Sequence, residues 1–495
     1  MAQIKVDIER VHGQISGNFF GFFTEHLSRI LYNGIFEPDS PHCDEYGYRT
    51  DVMDAVKLFR PATLRWPGGN FASAYNWMNG VGDASKRRVV FDPVWKSKEP
   101  NSFGTDEFVK YCRLVGAEPY ICINVGDGTQ REAMQWVEYC NSVAGTEVAD
   151  MRARNGSVEP YGVKLWGLGN ELCGDWQIGH KSAVNYAATA LEYGKAMRAI
   201  DPDIKLVAAG GIHMRMGFEH IERNWDRIVL EKLAGMIDYV GLHFYARKLP
   251  VSQDEKIRYF QHISEPEWLE KNITILKGEI DKAKYHSRGK EQREIRIAVD
   301  ELGVCVQPET PADLQDALVA ACLMNTLVNK ADVVDFCSYT SIANVFSPFF
   351  TRKESMFLQT VYYTLVAYSR YASGHALKLH VECPTFTSDM IGDLPLLHSS
   401  AIYDDEKGMV TLFVVNRDPS DVIISDIACQ NGIWSSIAEV YEVNGQSLSS
   451  QNTFDNTQNV KSVSRDIQTG EQSVFTYAFP SHSFTTLRMQ IKDNT

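Results

Sequence analysis

Between about residue 15 and residue 341 the chain alternates eight times between a short β-branched or aromatic run and a longer segment of helical periodicity. The candidate strands are Gly17 to Phe23, Thr63 to Trp66, Pro119 to Asn124, Val163 to Gly167, Lys205 to Ala209, Tyr239 to Phe244, Ile295 to Val299 and Val334 to Tyr339. Consecutive parallel strands need a long crossover, usually a helix, and eight such units are what a closed (β/α)8 TIM barrel requires. The intervening helices show in periodicity and punctuation. Asp106 to Val115 follows an expected N-cap at Thr105, and Asp313 to Asn329 begins just after Pro311.

After about residue 375 the texture changes to short strands separated by Gly, Asn, Asp and Ser, as in Gly408 to Asn416 and Ser473 to Tyr477. This predicts a C-terminal, jelly-roll-like β-sandwich. Ile4 to Val11 alternates like a strand and is expected to join it, which divides the chain into a barrel at 15–375 and a sandwich made of 1–14 and 376–495. The 495 residues suit a large barrel with a smaller companion. Gly445 to Gln458, rich in Ser, Asn and Gln, is expected to be a mobile loop.

With 44% hydrophobic and 23% charged residues the chain has the balance of a globular protein with a sizeable core. A net charge of -14 argues against nucleic-acid binding, because phosphate recognition needs a concentrated basic surface. The densest basic cluster, Lys86-Arg87-Arg88, reads as a solvated loop edge. No apolar run approaches the roughly 20 residues that cross a bilayer, and the first residues lack the apolar stretch of a secretion signal. The ten cysteines are scattered, with neither a C-x-x-C pair nor a Cys/His cluster at zinc spacing. They read as reduced, and the expectation is a cytoplasmic protein without membrane partners.

Two carboxylates stand out by position. Leu165 to Glu171 is a strand running into Asn170-Glu171, and Ile297 to Glu301 ends in Asp300-Glu301 three strands later. Barrel active sites sit at the C-terminal ends of the strands, so Glu171 and Glu301 are expected to face each other across the mouth. A pair about 5 to 5.5 Å apart performs double-displacement glycoside hydrolysis, in which one group donates a proton and the other attacks the anomeric carbon. Like-charge repulsion helps keep the proton on one of them. Taken alone, a strand-end Glu is more readily a salt-bridging residue at a helix start than a catalytic one.

Further motifs narrow the choice. Gly21-Phe22-Phe23-Thr24-Glu25-His26, Leu64-Arg65-Trp66-Pro67-Gly68-Gly69-Asn70-Phe71, Asn101 to Phe108, Gly116 to Tyr120, Trp166 to Glu171 continuing to Trp176 to Lys181, His243-Phe244-Tyr245 and Ser481 to Thr485 span nearly the whole chain. With them the sequence resembles the α-L-arabinofuranosidases of glycoside hydrolase family 51, a family in a barrel clan whose acid/base follows an Asn on the fourth strand and whose nucleophile ends the seventh. The resemblance implies Glu171 as general acid/base and Glu301 as nucleophile. It also implies that Glu25, Asn70 and Asn170 hydrogen-bond the hydroxyls of a furanose ring, that Tyr245 orients the nucleophile and that His243 lies near the acid/base.

Each of these residues has a plainer reading. Glu25 suits a salt bridge to Arg65, and His243 a satisfied core histidine. Gly68-Gly69 suits a tight turn. Trp95 and Trp176 read either as sugar-stacking platforms or as packing residues of the βα loops. Glu171, Glu301 and His243 are also a common metal-ligand set, but their spacing in sequence is spread and the family needs no metal, so none is expected and no cofactor is implied.

The chain departs from the family pattern at two points. Leu302 stands where the family usually has a Trp after its nucleophile, with Cys305 where a further aromatic follows, and Ser341 stands where it usually has a Gln. The aromatic wall is then missing or supplied elsewhere, and a hydrogen bond from Ser341 to substrate reaches less far. The expectation is an exo-acting enzyme, a non-reducing end α-L-arabinofuranosidase that releases terminal residues from arabinofuranosyl oligosaccharides of arabinoxylan or arabinan. Alternatives are a pocket for β-xylosides, galactofuranosides or β-glucans, and a silent carbohydrate-binding protein on a borrowed barrel. The resemblance also implies a homo-oligomer, commonly a hexamer.

Overall fold

The computed structural model describes residues 2–211, 222–248, 252–286, 293–305 and 309–492. Two strands precede the barrel, β1 (Ala2–Val6) and β2 (Val11–Gln14). The barrel opens with β3 (Phe20–Phe23) and β4 (Thr63–Trp66), after which comes a small hairpin, β5 (Val90–Asp92) and β6 (Ser97–Glu99). Six further strands complete it: β7 (Glu118–Cys122), β8 (Leu165–Leu168), β9 (Lys205–Ala208), β10 (Tyr239–Arg247), β11 (Arg296–Cys305) and β12 (Val334–Thr340). All eight expected strands are the staves of this barrel, which closes through the parallel pairing of β12 with β3.

Parallel strands covered on both faces can be apolar throughout, and β3, β4, β8 and β12 are buried at every residue. Tyr120, Leu165, Val207, Ala298 and Phe336, from five strands, form a separate cluster that fills the barrel's interior. Tyr120 meets Phe336 edge to face at 6.0 Å. Above this plug the interior turns polar.

The strand β11 runs on to Cys305, past the expected end at Val299. Between Ala298 and Glu301 it advances three residues while β10 advances two, and between Val299 and Leu302 it again advances three against two on β12. One extra residue is therefore bulged out of β11 between Val299 and Leu302, and on the β12 side it offsets an extra residue of β12 between Val334 and Phe336. Side chains along a strand normally alternate between faces, and a bulge breaks that rule locally. Asp300 and Glu301, adjacent in sequence, consequently both reach the same inward-facing guanidinium, that of Arg65.

The helix Leu314–Val328 is buried along its whole length because the barrel lies on one side and the C-terminal sheets on the other. Its N-cap is Asp313, whose side chain accepts from the Asp316 backbone N–H. The earlier helix Thr105–Val115 is capped by Gly104 and not by Thr105, whose hydroxyl instead accepts from the Trp136 indole at 3.0 Å; Glu107 accepts from the Gly104 N–H.

The C-terminal β-sandwich has sheets of four and eight strands. The strand β1 enters the smaller sheet between His380–Glu382 and Ile423–Cys429, and β2 pairs with His375–Leu377 in the larger. The N-terminal segment thus forms two strands that serve different sheets. Gly445 to Gln458 has no regular structure yet is tied down: Leu314 and Gln315 donate their backbone N–H groups to Ser450 and Leu448 carbonyls at 2.9 and 3.1 Å. These bonds satisfy amides that a helix N-terminus leaves without intrahelical partners, so the segment is anchored and not a free loop. In the basic cluster, Lys86 is solvated, whereas the Arg87 side chain is only 3% exposed and donates two hydrogen bonds to Glu107.

Candidate active site

The polar upper part of the barrel is organised around one buried cation. Arg65 interrupts the apolar strand β4, and a buried guanidinium requires paired anions. It donates to Glu301 Oε1 at 2.7 Å and to Asn170 Oδ1 at 2.8 Å, and its Nε lies 3.6 Å from Asp300 Oδ2. The other carboxylate oxygen, Glu301 Oε2, accepts from the Tyr245 hydroxyl at 2.7 Å. Glu301 is thus gripped at both oxygens by groups from β4 and β10.

Opposite it, β8 ends in Gly169 (φ 84), Asn170 and Glu171, and Glu171 itself is in the left-handed region at φ 46. This sparsely populated backbone turns the chain sharply, a feature that concentrates at working sites. Trp176 donates its indole N–H to Glu171 Oε2 at 3.2 Å, and His243 Nδ1 lies 2.9 Å from Glu171 Oε1. Glu171, Glu301 and His243 each place one polar atom within 4.8 Å of the others. The sequence separation that seemed to spread these three residues is undone by the barrel's closure.

Glu25 follows β3. Its Oε1 accepts from the Phe71 N–H at 2.9 Å and from the Trp95 indole at 3.1 Å. Burial pushes its carboxyl up to about 8, opposed by the Phe71 bond and reinforced by the charge of Glu301. A Cβ at Gly69 would lie 3.2 Å from Glu301 Oε1 and 3.3 Å from Glu25 Oε2, so this glycine lets the backbone pass against both carboxylates. Gly68 has φ 105, and a Cβ there would meet Glu25 Cβ at 2.5 Å.

These groups face a cavity of about 360 Å³, lined by Glu25, Asn70, Glu171, Tyr245 and Glu301, with Trp95, Trp176, Phe23 and Phe346 among its aromatic walls. A small polar ring with an apolar face fits such a mixture of convergent polar groups and aromatic surface.

Two family models match the chain, the α-L-arabinofuranosidase 1 domain over residues 55–263 and the α-L-arabinofuranosidase C-terminal domain over residues 300–483. A probable α-L-arabinofuranosidase C of Aspergillus clavatus is 33% identical, across 98% of this chain and 96% of that protein. The chain belongs to the α-L-arabinofuranosidases of glycoside hydrolase family 51. It is similar to an intracellular exo-α-(1->5)-L-arabinofuranosidase of Halalkalibacterium halodurans, at 34% identity over 85% of each chain. Among solved structures, an arabinose complex of the Thermotoga maritima α-L-arabinofuranosidase superposes with a TM-score of 0.88 at 34% identity, covering 99% of both chains. A family 51 α-L-arabinofuranosidase of Bifidobacterium longum gives 0.93 at 27% identity, again over 99% of both. This family 51 chain is therefore a glycoside hydrolase.

Of the residues singled out in the sequence of this family 51 enzyme, Glu25, Asn70, Trp95, Glu171, Trp176, Tyr245 and Glu301 line the cavity together. Asn170 and His243 lie just behind them. Asn170 bridges Arg65 and Asn70, donating to Asn70 Oδ1 at 3.2 Å. Trp95 and Trp176 each line the cavity and donate an indole N–H to a carboxylate, a role that neither reading named. Ser341 is placed differently: it is fully buried, and its hydroxyl donates to the Ala343 and Val345 carbonyls. Thr340 lines the cavity in its stead. Leu302 points into the core, and the aromatic surface at the mouth comes from Trp95, Trp176 and Phe346.

The salt bridge suggested between Glu25 and Arg65 gives way to pairing of Arg65 with Asp300 and Glu301. Sequence reasoning named Arg65 only in that minor role and passed over Tyr120, Thr340 and Phe346. For Arg65 a signal existed, a lone charge inside an apolar strand. For Phe346, in the turn after β12, none did.

Proposed function

We propose that this glycoside hydrolase removes terminal non-reducing α-L-arabinofuranosyl residues from arabinoxylan- or arabinan-derived oligosaccharides, with retention of anomeric configuration. The observation that carries the mechanism is that one oxygen of Glu171 and one of Glu301 lie within 4.8 Å of each other. Retaining pairs stand about 5 to 5.5 Å apart, whereas inverting pairs stand about 6.5 to 9.5 Å apart to admit a water.

Glu301, held by Arg65 and Tyr245, is oriented as the nucleophile. Glu171, held by Trp176 and His243, donates its proton to the leaving oxygen and then takes one from water. Glu25, Asn70 and, behind them, Asn170 supply polar groups for the ring hydroxyls, and a ring that leaves such groups unpaired costs roughly 1 to 3 kcal/mol of binding. The cavity's size favours action at chain ends.

The same reading places the enzyme inside the cell as a homo-oligomer, a hexamer by family resemblance. One relative is named intracellular, and among the described residues no two cysteines form a disulfide. Among the described residues, no helix is long and apolar enough to cross a membrane.

The test is hydrolysis of a panel of 4-nitrophenyl glycosides, with the first-formed sugar anomer read by proton NMR. Turnover of the α-L-arabinofuranoside with retention supports the reading. Preference for a xyloside or galactofuranoside, or formation of the inverted anomer, overturns it.

A further inference from the structure

A third carboxylate lies under the catalytic pair, and double displacement has no chemical step for it. Asp300 is buried, with its Oδ2 accepting from the Tyr120 hydroxyl at 2.8 Å and lying 3.6 Å from Arg65 Nε. Its Oδ1 lies 3.4 Å from His243 Nε2. Two local features make room for it: the bulge in β11 and Gly241 on β10, where a Cβ would sit 2.8 Å from Asp300 Oδ1. A buried anion is costly unless paired, so its retention here needs an account.

His243 is enclosed by the same anions. Nδ1 is 2.9 Å from Glu171 Oε1 and 3.6 Å from Glu301 Oε2, while Nε2 stands 3.4 Å from Asp300 Oδ1 in an ion-pair contact that is not aligned as a hydrogen bond. An imidazole with carboxylates opposite both nitrogens can satisfy both only by carrying two protons.

Double displacement moves one negative charge between the two glutamates. In the first half, a Glu301 oxygen forms a bond to the anomeric carbon as the glycosidic C–O bond breaks, and the leaving oxygen takes the Glu171 proton. Glu301 is then a neutral ester and Glu171 an anion. In the second half, water attacks the anomeric carbon and gives its proton to Glu171, the ester C–O bond breaks, and Glu301 regains its charge.

We propose that His243 is a standing imidazolium whose Nδ1–H balances this charge at both of its stations, and that Asp300 is the positioning residue that keeps it protonated. His243 neither gains nor loses a proton during turnover. Burial works against its charge, but Glu301, Asp300 and Glu171 outweigh that and raise it to about 10. Asp300 is in turn held below the usual carboxylate range, against its burial, by Arg65, His243 and Tyr120. Arg65 and His243 therefore stand against Asp300 and whichever glutamate is ionised, and the balance persists through both half-reactions.

This assignment rests on the double-displacement reading, and its test separates the two. In the full chain labelled with 15N-histidine, with His243 identified by the signals that His243→Asn removes, both ring nitrogens should carry protons at pH 8, where an unperturbed histidine (about 6.5) is neutral. Asp300→Asn should lower that titration midpoint by more than a pH unit and reduce kcat/KM on a nitrophenyl arabinofuranoside by about tenfold or more. A neutral His243 ring at pH 8 in the unmodified protein overturns the proposal, as does an unchanged titration in Asp300→Asn. The unmodified protein gives the answer even if that variant does not fold. The NMR readout needs no turnover, so an inactive protein with a charged His243 would count against the substrate reading alone.

Discussion

The Tyr245 hydroxyl donates to Glu301 Oε2 at 2.7 Å, on the oxygen that Arg65 leaves open. A hydrogen bond to a charged group contributes about 1.5 to 3 kcal/mol, which corresponds to about 10- to 100-fold in rate where it orients the attacking carboxylate. Tyr245→Phe should therefore lower kcat by about that factor while the urea midpoint of unfolding moves little. Steady-state kinetics beside an unfolding curve check it.

Trp176 is 40% exposed, yet its indole N–H reaches Glu171 Oε2 at 3.2 Å. Trp176→Phe keeps the aromatic surface and removes the bond. Activity should fall more for substrates with poor leaving groups, where protonation by Glu171 matters most, than for nitrophenyl glycosides. A Brønsted series of aryl arabinofuranosides would show a steeper leaving-group dependence in the variant.

Glu25 carries a proton up to about pH 8, so at neutral pH its carboxyl is a donor as well as an acceptor toward a sugar hydroxyl. Above that pH it becomes a second anion near Glu301. KM should rise through pH 8 with a smaller change in kcat, and Glu25→Gln, permanently neutral, should flatten the rise. Michaelis constants measured from pH 6 to pH 9 decide it.

The two glycines after β4 should separate folding from function. Ala at position 68 meets both a φ of 105 and a 2.5 Å approach to Glu25, and should destabilise the fold by about 2 to 4 kcal/mol. In Gly69→Ala the new Cβ meets carboxylate oxygens at 3.2 and 3.3 Å and the Phe23 ring at 3.4 Å, all beside the cavity and with no strained φ. That variant should fold and lose activity. Denaturant titration and turnover on the same preparations distinguish them.

Stability should fall as pH rises through the neutral range. Glu25 holds its proton to about 8 in the folded chain but releases it near 4.5 when unfolded, and His243 holds its proton to about 10 against 6.5. In both windows the folded state binds the extra proton, so its stabilising effect is complete below the unfolded value and is lost as pH passes through the folded one. Each contributes a slope of about 1.4 kcal/mol per pH unit within its window. Melting temperatures between pH 7 and pH 9, above the window in which the depressed His398 and His262 act in the opposite sense, should decline, and less steeply between pH 7 and pH 8 in Glu25→Gln.

Period and punctuation made the barrel legible, because each strand is a short apolar run and each helix lies between turn signals. Thr63–Trp66 falls at its expected ends. The expected end at Val299 fails because β11 continues past the mouth, carried by pairing with β10 as far as Cys305. No local signal reports such an extension, since it depends on what the neighbouring strand offers. The anchoring of Gly445 to Gln458 was hidden for the same reason. Polar composition resembles a free loop until the amides of a helix from elsewhere in the chain accept it as a partner.

What the sequence determined by itself was the number of βα units, the change to β-rich texture after residue 375, and the two strand-end glutamates, because these are carried by local periodicity and by residue type. Only the tertiary structure decided which charges meet. Barrel closure brings β4, β8, β10 and β11 to one axis, and a one-residue bulge turns Asp300 and Glu301 to the same side. Arg65 therefore pairs with residues more than 200 positions away and not with Glu25. Likewise, Ser341 spends its hydroxyl on its own turn because the backbone there closes over it, a matter of geometry that residue identity does not encode.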